Sequence, residues 1–283
     1  MKIASYTYDG RASYGVIEGN QVIDLAPLQH DLGADLKEAI INGRLAELNP
    51  AQLSDLPRID LTEVTFLPVI PNPGKVLCIG INYATHVRET GREMPAYPMI
   101  FTRFADSQTS HLQAIVRPSA SIKLDFEGEL AVVIGKRARH VNQADALEFV
   151  AGYACYNDGS VRDWQKHTIQ FVPGKNFPST GSFGPWLVTP DELGDPQNLE
   201  LTTRLNGEVM QHTSTADMIF DVRKLIEYCS TFTELAPGDV IVSGTTGGVG
   251  AFREPPVWMK PGDIVEVEIA GIGILRNTIA DEA

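Results

Sequence analysis

Two glutamates at alternate positions lead straight into an unbroken apolar run: Leu124-Asp125-Phe126-Glu127-Gly128-Glu129-Leu130 continues as Ala131-Val132-Val133-Ile134-Gly135. The run is a strand, rich in β-branched residues. Successive side chains of a strand point to opposite faces, so Glu127 and Glu129 share one. Side-by-side carboxylates repel and are costly to bury unless a cation neutralises them. The chain must therefore leave this pair in water or fold it around positive charge. A third carboxylate, Asp158, follows in Tyr156-Asn157-Asp158-Gly159. An all-oxygen set of this kind suits a hard divalent ion, Mg²⁺ or Mn²⁺, with Ca²⁺ as an alternative. Two solvated glutamates on an exposed face are the competing explanation of the spacing.

The 283 residues have room for one large domain plus a small one, and 43 % hydrophobic residues supply a sizeable core. A net charge of −13 argues against nucleic acid or an anionic membrane as partner. An anionic substrate stays compatible, because a bound cation reverses the field inside one pocket. Cys78, Cys155 and Cys229 show no CxxC spacing and are expected to be reduced core thiols. No signal-like apolar segment and no run of membrane-spanning length is evident, so a cytoplasmic soluble chain is expected.

Residues 1–70 read as a small β-rich domain. Strands over 1–8 and 14–17 flank the turn Asp9-Gly10-Arg11, a third covers 21–25, and helical periodicity runs over 36–48. A proline-rich linker over 67–74 marks a boundary, and residues 71–283 form the larger domain. Within it, strands are expected over 75–79, 99–104, 127–134, 150–156, 186–188, 199–205, 240–242 and 264–269. Helices are expected over 82–90 and 144–149, with an amphipathic helix inside 215–232. Strands outnumber helices and the connections are long, which gives an α+β class.

Several further groups carry chemistry. His86 and Glu89 are three apart, so on a helix they share a face, and the carboxylate orients the imidazole as a general base. Arg162 and Gln165 are likewise three apart; Arg offers a fork for a substrate carboxylate and Gln an amide donor. Lys175, in Pro173-Gly174-Lys175-Asn176-Phe177, suits stabilisation of a developing enolate. Gly244-Thr245-Thr246-Gly247-Gly248-Val249-Gly250 follows a strand. It lacks the lysine of a P-loop, so nucleotide binding is not expected, but its N–H groups suit a carboxylate. The tryptophans and the other histidines show no usable partner spacing.

Taken together, these segments resemble the fumarylacetoacetate hydrolase family over roughly residues 75–283. The carrying motifs are Gly80-Ile81-Asn82-Tyr83 with His86 and Glu89, Asp125-Phe126-Glu127-Gly128-Glu129-Leu130, Asn157-Asp158-Gly159 through Gln165, Gly174-Lys175-Asn176-Phe177, and Gly244-Thr245 through Gly250. The resemblance implies a mixed β-sheet roll with a small N-terminal domain, paired into a homodimer. It implies a divalent metal held by Glu127, Glu129 and Asp158. It also implies a His86–Glu89 pair on a lid helix, and a pocket containing Arg162, Gln165, Lys175 and Thr245. Two departures, Asn176-Phe177-Pro178-Ser179 and Thr246 in the glycine loop, touch the pocket wall and so bear on substrate identity.

The function expected from the resemblance and these residues is metal-dependent hydrolysis of a C–C bond in an acylpyruvate or similar β-diketo acid. His86, held by Glu89, would activate water, and a pyruvate enolate would leave. Arg162, Gln165 and Thr245 would hold the carboxylate and oxo groups. The alternatives are oxaloacetate decarboxylation or dioate isomerisation at the same site, and a non-catalytic metal-stabilised binding protein. The segment 83–98, with few apolar anchors, is expected to close over a bound oxo acid.

Overall fold

A computed structural model describes residues 1–48, 50–91 and 93–283. The chain is an α+β protein built on a large mixed sheet. In spatial order the main path runs Arg58–Asp60, Gln21–Asp24, Arg11–Glu18, Lys2–Tyr8, Gly181–Val188, Val150–Asn157, Gly128–Ile134, Val240–Val242, Val76–Gly80 and Met99–Arg103. The N-terminal strands are continuous with the rest, because Lys2 and Ile3 pair with Val188 and Leu187. A second sheet of five strands runs Glu208–Ser214, Glu200–Leu205, Ile264–Ile269, Gly273–Asp281 and Ile115–Arg117.

The apolar run that dominates the sequence lies at the centre. Every residue of Gly128–Ile134 is buried, because both faces of the sheet are covered. Leu130, Val132 and Ile134 face a core shared with Leu225, Ile226 and Cys229 of the helix Val222–Phe232 and with Leu201, Val267 and Ile269 of the second sheet. Ala131 and Val133 face the opposite core, shared with Tyr14, Ile23, Leu36 and Ile40 of the N-terminal segment. Fully burying one such aliphatic side chain contributes about 1.5–3 kcal/mol. The three cysteines are buried and free, as expected of core thiols.

Two helices are shorter than their periodicity suggests. The segment 36–48 is helical only over Leu36–Asn42, started by the Asp35 side chain on the Glu38 N–H and ended at Gly43 with φ 67°. That left-handed glycine closes the helix, and a separate 3₁₀ turn follows over Arg44–Glu47. In 215–232 the α-helix begins at Val222, where Asp221 caps the Lys224 N–H; Met218 and Ile219 lie before it. The stretch Gln143–Phe149 is 3₁₀ rather than α. Among the described residues, no helix is long and apolar enough to cross a membrane.

Candidate active site

The carboxylate trio belongs to one hairpin. Gly128–Ile134 and Val150–Asn157 pair antiparallel with Gly128 opposite Asn157 and Glu129 opposite Tyr156. At its mouth the Asp158 N–H donates to the Glu127 carbonyl at 2.8 Å, and the Glu127 N–H donates to Asn157 Oδ1 at 3.0 Å. Glu127, Glu129 and Asp158 are all buried, and one ligand oxygen from each lies within 4.8 Å of the others. The solvated alternative for Glu127 and Glu129 is therefore excluded by their burial.

Three buried cations frame the trio. Lys175 Nζ donates to Glu127 Oε2 and Asp158 Oδ2, both at 2.6 Å, and to the Asp158 carbonyl at 3.2 Å. Its three ammonium protons are thus committed to protein oxygens. Arg103 Nη1 donates to Asp158 Oδ1 at 2.6 Å, and the rest of that guanidinium is held by Ser107, Gly159 and Thr180. Arg162 lies on the short turn Arg162–Gln165. Its Nε donates to Asp125 Oδ2 at 2.8 Å, and its Nη1 reaches Glu127 Oε1 at 2.7 Å and Gln165 Oε1 at 3.0 Å. Asp125 also accepts the Gly250 and Ala251 N–H groups at 2.8 and 2.9 Å, tying the end of the glycine loop to the same arginine.

The electrostatics divide the trio. Burial alone would raise Glu127, but the charges of Arg162 and Lys175 bring its pKa down to about 2. Burial works against the Lys175 charge, yet Asp158 and Glu127 hold its pKa above the ordinary lysine value. Glu129 is different. Burial, then repulsion from Asp158 and Glu127, push it well above the carboxylate range. Its carboxylate accepts the Gly244 N–H at 2.5 Å. Among the described residues it has no cationic partner. A carboxylate buried without a counter-charge, beside two others within about twice the metal–oxygen distance of Mg²⁺ or Ca²⁺, fits a divalent cation.

The dyad sits on the helix Ala84–Thr90. His86 Nδ1 and Glu89 Oε2 are 3.0 Å apart, and Glu89 Oε1 accepts the Gly248 N–H at 2.9 Å. The glycine loop thereby orients the dyad. Thr245, expected to face substrate, has its hydroxyl donating to the Gly128 carbonyl at 3.0 Å and accepting from Gln211 Nε2 at 2.8 Å. The dyad helix is rooted by the segment before Val222. Asn82 exchanges hydrogen bonds with the Phe220 backbone, Tyr83 bridges to Met218, and Asp217 Oδ2 accepts from Thr85. Ile81, just ahead of this root, has φ 57°, an outlier for a β-branched residue. Position 92, within the segment expected to close, lies outside the described residues.

One pocket of about 100 Å³ gathers these parts. Its wall includes His86, Glu127, Glu129, Arg162, Gln165, Lys175 and Thr245, so the expected groups converge except Glu89 and Asp158, which stand behind their partners. Sequence reasoning missed Arg103, Asp125, Gln211 and Asp217. Asp125 lay inside a quoted motif, two residues before Glu127. The others come from distant segments with no local signal.

Comparison with known proteins places the chain in a family. Residues 75–280 match the model of the fumarylacetoacetate (FAA) hydrolase C-terminal family, and the chain belongs to that family. It is 42 % identical over 265 residues to the mitochondrial oxaloacetate tautomerase FAHD2A of Bos taurus, covering 92 % of this chain and 84 % of the relative. Among solved structures, a fumarylacetoacetate hydrolase from psychrophilic Exiguobacterium antarcticum superposes with a TM-score of 0.89 at 36 % identity, covering 100 % of both chains. A maleylpyruvate hydrolase from Sphingobium sp. SYK-6, in complex with manganese (II) and pyruvate, gives 0.84 at 26 % identity, again covering 100 % of both.

Proposed function

We propose that this protein is a divalent-metal-dependent enzyme of small 2-oxo acids whose principal reaction is keto–enol tautomerisation of oxaloacetate. The observation that carries the reaction class is the presence of one oriented imidazole, His86, in the same pocket as the buried carboxylate trio. The similarity to oxaloacetate tautomerases supports the substrate. Hydrolysis, the outcome expected from the sequence, thus becomes the second reading.

Glu127, Glu129 and Asp158 would hold Mg²⁺ or Mn²⁺. That ion, when bound, supplies Lewis acidity and an anchor for the 2-oxo end of the substrate. The protein's own groups move the proton. Glu89 occupies His86 Nδ1, which leaves Nε2 for the substrate. His86 takes the C3 proton, the C–H pair becomes the C2–C3 double bond, and the carbonyl oxygen gains the proton that the imidazolium returns. Lys175 and Arg162 place fixed positive charge beside the oxygen that becomes negative, without reorganising at that moment. The dyad helix, lying over the pocket with His86 buried, keeps bulk water from competing for the proton.

Acylpyruvate hydrolysis uses the same residues, with water as the proton donor to His86 and the nucleophile at the distal carbonyl. The similarity to a maleylpyruvate hydrolase favours keeping it. The deciding experiment follows the ultraviolet absorbance of the oxaloacetate enol with Mn²⁺-loaded protein, alongside acetylpyruvate cleavage and pyruvate release from oxaloacetate. Accelerated enol–keto exchange without pyruvate release is the expected result. Acetylpyruvate cleavage with no acceleration of exchange establishes the second reading instead.

A further inference from the structure

Three arginine and lysine side chains frame the trio, and the charge of each is paired with protein carboxylates, although Arg162 keeps its buried Nη2 without a hydrogen-bond partner. Arg103 serves Asp158, Arg162 serves Asp125 and Glu127, and Lys175 serves Glu127 and Asp158. A fourth cation, Lys166, also lines the pocket. Among the described residues its ammonium has no carboxylate or hydrogen-bond partner. Its root is fixed, since the Lys166 N–H donates to the Asp163 carbonyl at 3.1 Å directly after the turn Arg162–Gln165. Its side chain is exposed at the pocket wall.

We infer that Lys166 is a specificity-determining residue that receives the second carboxylate of a dicarboxylic oxo acid whose 2-oxo end lies at the carboxylate trio. This rests on the oxo-acid reading above. The trio accounts for one end of such a substrate. The other end brings a second negative charge, and much of the remaining wall, Ile79, Phe101, Phe171 and Phe252, is apolar. A carboxylate against those side chains would be desolvated with no compensation. Among the described residues, Lys166 is the positive charge on that wall with no carboxylate partner, and a flexible four-carbon stem lets its point charge follow carboxylates at different reach. A monocarboxylic substrate has no use for it. Lys166 therefore separates dicarboxylic acids such as oxaloacetate from acylpyruvates with a single carboxylate, while taking no part in proton transfer.

The test is equilibrium binding to the Mn²⁺-loaded protein of malate and lactate, 2-hydroxy acids that differ by one carboxylate. Wild-type protein is expected to prefer malate by about twofold to fivefold at low salt. Lys166→Met should lose that preference with lactate affinity unchanged, and Lys166→Arg should keep it. Thermal unfolding of each variant verifies the fold. Undiminished malate preference in Lys166→Met, or failure of the wild type to distinguish the two acids, overturns the assignment. Because the readout is binding, a protein that shows this preference yet leaves oxaloacetate exchange unaccelerated defeats the tautomerase reading and leaves Lys166 in place.

Discussion

Asp217 caps the helix that carries the dyad from outside that helix: its Oδ2 accepts the Thr85 N–H at 3.0 Å and the Thr85 hydroxyl at 2.7 Å. The residue at the N-cap position itself, Tyr83, supplies no side-chain bond. The first turn is thus satisfied by a residue 132 positions away. Thr85 also meets Thr246 at 3.0 Å, so the cap, the dyad helix and the glycine loop lock together.

Asp217→Ala removes both bonds, and losing a helix cap costs about 0.5–2 kcal/mol. We expect turnover to fall by roughly tenfold as the His86 position loosens, with Mn²⁺ affinity unchanged. Asp217→Asn keeps one acceptor and should recover part of the loss. Unchanged turnover in Asp217→Ala would show that the glycine loop alone holds the dyad.

Glu129→Gln keeps the shape of the side chain and removes the unpaired buried charge. Mn²⁺ at a hundredfold excess over its Kd should stabilise the wild type by about 2.7 kcal/mol. Glu129→Gln should abolish that stabilisation and the activity together. A full thermal shift in the variant would place the ion elsewhere.

His86→Ala should reduce turnover by roughly two to four orders of magnitude, the range for losing a general base. The Mn²⁺-induced thermal shift should persist, since His86 is not among the trio. Near-normal exchange in the variant would remove His86 from the proton path.

Much of this site was open to inspection in the chain itself. Glu127, Glu129 and Asp158 stand in one hairpin, and His86 and Glu89 in one helical turn, so strand and helix periods suffice to group them. Arg103 and Asp217 were not accessible that way. They reach Asp158 and Thr85 across 55 and 132 residues, and no local period encodes such a contact. The expected roles of Arg162 and Thr245 illustrate a second limit. Residue type indicates what a group is able to bind, but Asp125 and Gln211 decide what is left unbound. In the fold, Gly43 ended a helix that apolar spacing carried six residues further, because backbone conformation prevails over periodicity.

The His111 titration contributes to acid stability. His111 packs edge-on against Phe66 and accepts the Arg276 N–H at Nδ1, an arrangement that requires the neutral ring. Burial and the nearby Arg276 lower its pKa from 6.5 to about 4. The unfolded chain therefore binds the extra proton first as pH falls. Stability from this group is complete above about pH 6.5, declines toward about pH 4, and changes no further below it. The loss is at most about 3.5 kcal/mol, and is reduced by solvent screening of the accessible part of the ring. In denaturant titrations, His111→Asn, which retains an acceptor for the Arg276 N–H, should lose less stability than wild type over this window. Identical acid profiles would assign the titration to other groups.

The hairpin that carries all three trio carboxylates also has a consequence for how chemistry diversifies. On the reading proposed above, an ion would be anchored by one antiparallel pair, whereas the proton-handling groups would arrive on a separate helix clamped by remote loops. Substitutions in that helix or its clamps would then alter which proton moves, or whether water takes part, without dislodging the anchorage. On that reading, affinity for the ion and choice of reaction would be inherited separately. A single architecture is then free to support tautomerases and hydrolases while its metal grip stays the same.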